Sequence, residues 1–77
     1  MEYIFPDFPR ISVNPARCMG KPCIRGTRIP VDSVLAYLAG GMTIDELVAG
    51  FNWISREDIL EALSFAATMI SGRFTDR

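Results

Sequence analysis

A chain of 77 residues makes one small domain, able to bury only ~60–65% of its unfolded surface and marginal alone. Its residues are 49% apolar, yet no apolar run nears the ~18 residues of a membrane span and no basic-then-apolar leader opens it, so a cytoplasmic protein is expected. With no histidine and only two cysteines, Cys18 and Cys23, it lacks the commonest general base and, within one chain, the ligands of a zinc site. In a reducing compartment the two cysteines read as small apolar residues.

Residues 1–9 carry Tyr3, Phe5 and Phe8 with two prolines and read as an extended arm whose rings pack on the body or on a neighbouring chain. Arg10-Ile11-Ser12-Val13 alternates polar and apolar, the pattern of a short half-buried strand, and Asn14-Pro15 signals a turn. Cys23-Ile24-Arg25 is a second short strand, with Gly26 supplying a turn or bulge. A hairpin of that size needs support from the helices or from a second chain.

The helical part begins at Pro30, since proline suits a first turn in which its missing N–H would find no partner. The first helix is expected over Val31 to Ala39, with Val34, Leu35 and Leu38 inward and Gly40-Gly41 as its stop. Thr43-Ile44-Asp45-Glu46 is a capping box that opens a second helix, Ile44 to about Ala49. Ser55, followed by Glu57 and Asp58, caps a third helix running to about Ser71. Its apolar residues fill an arc of roughly 220°, where a helix packed on one side needs only about 100°. Ile59, Leu63, Ala66 and Ile70 are expected to close the core. The flank of Phe65 and Met69 is expected to meet a second chain, the alternative being that the aromatic arm covers it within the monomer.

The fold class that follows is mostly α: three helices preceded by a short N-terminal β-hairpin and arm. Residues 1–31 form the arm and basic β element and 32–77 the three-helix unit of one compact domain. Helices two and three, separated by Gly50-Phe51-Asn52-Trp53, fit a helix-turn-helix. A net charge of −1 conceals a bipolar chain. Arg10, Arg17, Lys21, Arg25 and Arg28 lie between Phe8 and Val31 without an acid, whereas Asp32 to Glu61 holds six acids and Arg56.

The densest cationic stretch is Gly20-Lys21-Pro22-Cys23-Ile24-Arg25-Gly26-Thr27-Arg28-Ile29-Pro30-Val31. Its glycines and prolines make it too shaped for a plain connector, and it presents Lys21, Arg25 and Arg28 to an anion. The candidate contact residues are therefore Arg17, Lys21, Arg25, Thr27 and Arg28, with Arg56 at the start of helix three. Such a ribbon suits a phosphate backbone or minor groove. It suits carboxylates on a protein equally well. Internal pairing of Lys21 or Arg28 with Asp32 or Glu61 is the third reading, worth only ~0–1 kcal/mol per exposed pair. At the start of helix three, Glu57 and Asp58 would repel phosphates. No acid–base dyad, nucleophile–base pair or metal cluster assembles from these motifs, so neither catalysis nor a cofactor is expected. Gly20 and Gly26 lack the strand–loop–helix setting of a nucleotide-binding loop.

Asn14-Pro15, the Gly20–Val31 stretch, Gly41-Met42-Thr43-Ile44-Asp45-Glu46-Leu47 and Ser55-Arg56-Glu57-Asp58-Ile59 resemble domain-of-unknown-function family 433, described as VapB-type antitoxin-like. The resemblance runs from about Ile11 to Ala67. It implies a homeodomain-like helical domain with an N-terminal β element. It also implies an antitoxin role against a PIN-like ribonuclease toxin, with operator DNA as a second partner. The toxin contact is then expected at the ribbon and the Phe65/Met69 flank, and Tyr3, Phe5, Phe8, Phe65 and Met69 are the residues for a homodimer or partner interface. The contrasting expectation, from the bipolar charge, is a dimeric protein-interaction module with no nucleic-acid role.

Overall fold

The computed structural model describes residues 2–74, with side chains described to residue 72. Three short strands precede three helices: β1 (Tyr3–Phe5), β2 (Phe8–Val13), β3 (Cys23–Ile24), α1 (Val31–Ala39), α2 (Ile44–Gly50) and α3 (Arg56–Phe74). About half of the chain is helical. The strands form one antiparallel sheet in the order β1-β2-β3. Ile11 faces Ile24 and Ser12 faces Cys23, which is the hairpin that the alternating pattern implied.

The aromatic arm is a strand of that sheet. A turn at Pro6-Asp7 folds β1 onto β2, with Tyr3 opposite Val13, Phe5 opposite Phe8, and a register shift after Ile4. The hydrogen-bonded pairing explains why β2 begins at Phe8, two residues before the alternation becomes legible. Phe5 and Phe8 then bring their rings 4.8 and 5.4 Å from that of Phe65, in edge-to-face geometry.

Two apolar clusters hold the elements together. Ile24, Ile29, Val34, Leu47, Ile54 and Ile59 join the loop after β3 to all three helices, with Leu38, Ile44, Val48, Phe51 and Leu63 packed around them. Ile11, Val31, Ala62 and Phe65 join the sheet to α1 and α3, with Phe5, Phe8, Leu35 and Ala66 at their edge. Ile11, Leu47 and Ile59 are wholly buried, which by area alone stabilises the fold by ~1.5–3 kcal/mol per side chain.

Helix boundaries follow their caps. Thr43 Oγ1 accepts from the Glu46 amide at 3.1 Å and the Glu46 carboxylate accepts from the Thr43 amide at 2.8 Å. Ser55 and Asp58 repeat the exchange at the head of α3, at 3.2 and 2.8 Å. The third helix continues past the expected Ser71. Its described residues beyond Ala66 are all exposed, and Ile70, expected in the core, is 58% exposed.

Candidate contact surface: a core-anchored loop bearing two arginines

The Gly20–Val31 ribbon folds into a tight loop closed by its own backbone. The Ile24 amide donates to the Ile29 carbonyl at 3.0 Å, and the Thr27 amide donates to the Ile24 carbonyl at 3.0 Å. In the four-residue turn Ile24–Thr27, Gly26 holds φ +79°, a value that glycine adopts without strain and that a type II turn requires at its third position. Below the turn, the Arg25 amide donates to the Arg10 carbonyl of β2 at 2.7 Å, and the Val31 amide donates to the Pro22 carbonyl at 2.9 Å. Ile24 and Ile29 flank the tip and are both buried in the first cluster. The tip is therefore fixed at its base by apolar packing and at its neck by hydrogen bonds.

Thr27 belongs to that scaffold. Its hydroxyl donates to the Ile24 carbonyl at 2.7 Å and accepts from the Ile29 amide at 3.0 Å. Both capacities are used inside the loop, so the expectation of Thr27 as a direct contact gives way to one of a residue that shapes the turn.

Arg25 and Arg28 project from the tip and are exposed. Among the described residues neither lies within ion-pair distance of a carboxylate. Arg25 has only a long bond, 3.5 Å from Nη1 to the Pro9 carbonyl oxygen. The other candidate cations are engaged. Lys21 Nζ lies 3.1 Å from Asp32 Oδ2, one of the internal pairs expected from sequence. Arg17 stands 4.0 Å from Glu2, and Arg56 pairs with Asp45 at 3.2 Å. These pairs are largely solvated, so each contributes little.

Arg10, which was not among the expected contact residues, holds the strongest internal arrangement. Its Nη1 reaches Asp58 Oδ1 at 3.0 Å, its Nε lies 3.7 Å from Glu61 Oε1, and its amide donates to Glu61 Oε2 at 2.6 Å. The hydrogen bond to Asp58, ahead of the nearby charges of Asp58 and Glu61, raises the Arg10 pKa above its ordinary value. Asp58 and Glu61 stand three residues apart on one face of α3, a spacing that presents both to the same neighbour. That spacing was the available sequence signal. Asp58, one of the two acids expected to repel phosphates at the start of helix three, is thus paired from β2, as is Glu61 one turn further on.

The Phe65 flank is corrected. Phe65 is only 4% exposed because Phe5 and Phe8 of its own chain cover it. Phe65, Phe5 and Phe8 are intrachain packing residues, and the covering of the flank within the monomer is the arrangement found. What remains open beside them is a shallow apolar groove lined by Phe5, Pro22, Phe65, Thr68, Met69 and Gly72, with Tyr3 and Met69 about half exposed. No group of three or more metal-ligating side chains occurs among the described residues. No described helix is long and apolar enough to cross a membrane.

Residues 11–66 match the family model described as protein of unknown function (DUF433), and the chain belongs to that family. Among solved structures it is similar to the crystal structure of a DUF433 member protein from Anabaena variabilis ATCC 29413. The two are 34% identical with a TM-score of 0.74, over 77% of this chain and 58% of that one. This chain thus spans somewhat more than half the length of its solved relative. No curated protein matches it.

Proposed function

We propose that this protein is a cytoplasmic antitoxin-like binding module that docks Arg25 and Arg28 against the clustered carboxylates of a PIN-like ribonuclease toxin and blocks the access of RNA to them. The observation that carries this reading is the pair of guanidinium groups left without a carboxylate among the described residues, on a loop closed by its own backbone hydrogen bonds. Guanidinium matches carboxylate geometry with two parallel hydrogen bonds. Because the loop is already ordered, docking it costs little additional conformational entropy. In the same reading, α2 and α3 with the intervening turn act as a homeodomain-like helix-turn-helix scaffold, and the exposed Leu60, Met69 and Ile70 support self-association as a homodimer.

Operator DNA is the second reading, because the same tip suits a phosphate backbone. The head of α3 favours the protein partner: Arg56 is engaged by Asp45, and Glu57 remains exposed where phosphates would have to approach. A plain dimeric module would bind neither.

The test is inhibition of a purified PIN-like nuclease encoded beside this gene. The parent chain is expected to suppress RNA cleavage, and the Arg25→Ala, Arg28→Ala double variant to lose roughly thirty-fold or more in inhibition, since truncating one side of a desolvated charge pair costs about 2–5 kcal/mol. Equal inhibition by parent and double variant defeats the proposal. Salt separates the partners: a DNA complex built on several phosphates weakens by orders of magnitude between low and moderate salt, and a protein complex with an apolar centre does not.

A further inference from the structure

The third helix carries more apolar surface than its own domain covers. From Ala62 to Gly72 it contains no charged residue. At 100° per residue Phe65, Met69, Ala66 and Ile70 share one arc of it. Ala62 and Phe65 use that arc against the sheet and α1, in the cluster with Ile11 and Val31. Past Ala66 the arc continues without cover: Ala67 to Gly72 are all exposed, the large side chains of Met69 and Ile70 among them. A helix with a free face ordinarily carries charged or polar residues there. This one presents an apolar ridge instead.

Beside the ridge lies the groove of Phe5, Pro22, Phe65, Thr68, Met69 and Gly72, whose lining includes no ionisable side chain. Tyr3 extends it, with its ring 5.0 Å from that of Phe5 and much of its surface exposed. The groove at the head of α3 is of the opposite kind, lined by Asp7, Arg10, Glu57 and Glu61 among others. Thr68 and Gly72 keep the floor of the apolar groove low, and nothing lies within 4 Å of a Cβ added at Gly72. One uncharged face of the molecule therefore holds both a projecting ridge and a recess.

We propose that the occupant of this groove is α3 of a second copy of the chain, in a two-fold arrangement that lays the Met69–Ile70 ridge of each copy in the recess of the other. In such a contact a patch meets itself, so any charge within it would face its like. The stretch from Ala62 to Gly72 and the groove lining hold none. Ridge and recess on one face also make the patch its own complement, and burial of apolar area drives the association. A charged protein partner or an anionic lipid surface would be met by ionisable groups at the contact, which this lining lacks. The inference gives the self-association proposed above its surface and rests on that part of the reading. The docking of Arg25 and Arg28 is independent of it.

The experiment is sedimentation equilibrium of the full chain under reducing conditions, over a concentration series reaching the sub-millimolar range. The parent is expected to be a dimer. Met69→Glu and Gly72→Glu set like charges against each other across the two-fold and are each expected to weaken the dimer by at least about tenfold. Both positions are exposed and glutamate is a good helix former, so the monomer fold, followed by circular dichroism, is expected to persist. Trp53→Ser, in the other exposed apolar patch with Tyr37 and Met42, is expected to leave the dimer intact, as is the Arg25→Ala, Arg28→Ala double variant. A parent chain that stays monomeric throughout the series overturns the proposal and self-association with it. A parent dimer that survives both glutamates, or that is lost with Trp53→Ser or with the double arginine variant, overturns the assigned surface and leaves self-association standing.

Discussion

Arg10 and the Arg25/Arg28 tip are the same chemistry in opposite situations. Arg10 sits at the sheet–helix junction, where Asp58 and Glu61, largely shielded themselves, receive it from one face of α3. Arg25 lies one hydrogen bond away along the backbone, its amide on the Arg10 carbonyl, yet its guanidinium meets no carboxylate among the described residues. The first arginine closes the fold and the second stands exposed to solvent. A cationic sequence stretch is thus divided by the fold into a structural half and a presented half.

The comparison can be broken at its common root. Ile24 is buried beneath both regions, so Ile24→Ala is expected to lower stability by about 2–5 kcal/mol and to loosen clasp and tip together, as read by denaturant unfolding. Gly26→Ala acts on the tip alone. Nothing lies within 4 Å of an added Cβ, so the cost is that of forcing alanine to φ +79°, about 1–2 kcal/mol. That loss is expected to accompany a shift of the Arg25 and Arg28 amide signals, with those of α3 unchanged.

Arg10→Ala removes the guanidinium from two shielded carboxylates, leaving them only backbone amide donors, and is expected to lower the melting midpoint. The deficit should shrink in high salt, which screens the exposed part of the interaction. A smaller effect concerns the strand that supports both regions. Cys23 ionises at about 12 in the folded chain against 9.0 ordinarily, so the unfolded chain loses that proton first as pH rises. Stability of the reduced protein is therefore expected to fall from about pH 9 upward, and Cys23→Ala to remove part of that slope. A slope identical in parent and variant would contradict the buried, protonated thiol.

Much of the fold was legible from local chemistry. Pro30, Thr43 with Glu46, and Ser55 with Asp58 announce the three helix starts because capping groups act within a few residues. The β2–β3 pairing was legible from alternation at Arg10–Val13 and the break at Gly26. What stayed hidden depends on contacts distant in sequence. The seating of Phe5 and Phe8 on Phe65 spans most of the chain, and so does the engagement of Asp58 and Glu61 by Arg10. At the site, the exposure of Arg25 and Arg28 followed from the ribbon's composition, but the internal role of Thr27 needed the turn geometry. The positive φ at Cys18 and Met19 was hidden too, since neither residue type signals it.

The most direct measurement pairs thermal melting with affinity for the PIN-like nuclease, in the same buffer, for Arg10→Ala and for the Arg25→Ala, Arg28→Ala double variant. The expected result is a crossed pattern. Arg10→Ala melts lower and binds as the parent does, whereas the double variant keeps a stability within ~0.5 kcal/mol of the parent and binds more weakly by roughly thirty-fold or more. A double variant that melts with Arg10→Ala, or binds as tightly as the parent, would contradict the division of this cationic stretch into clasp and contact.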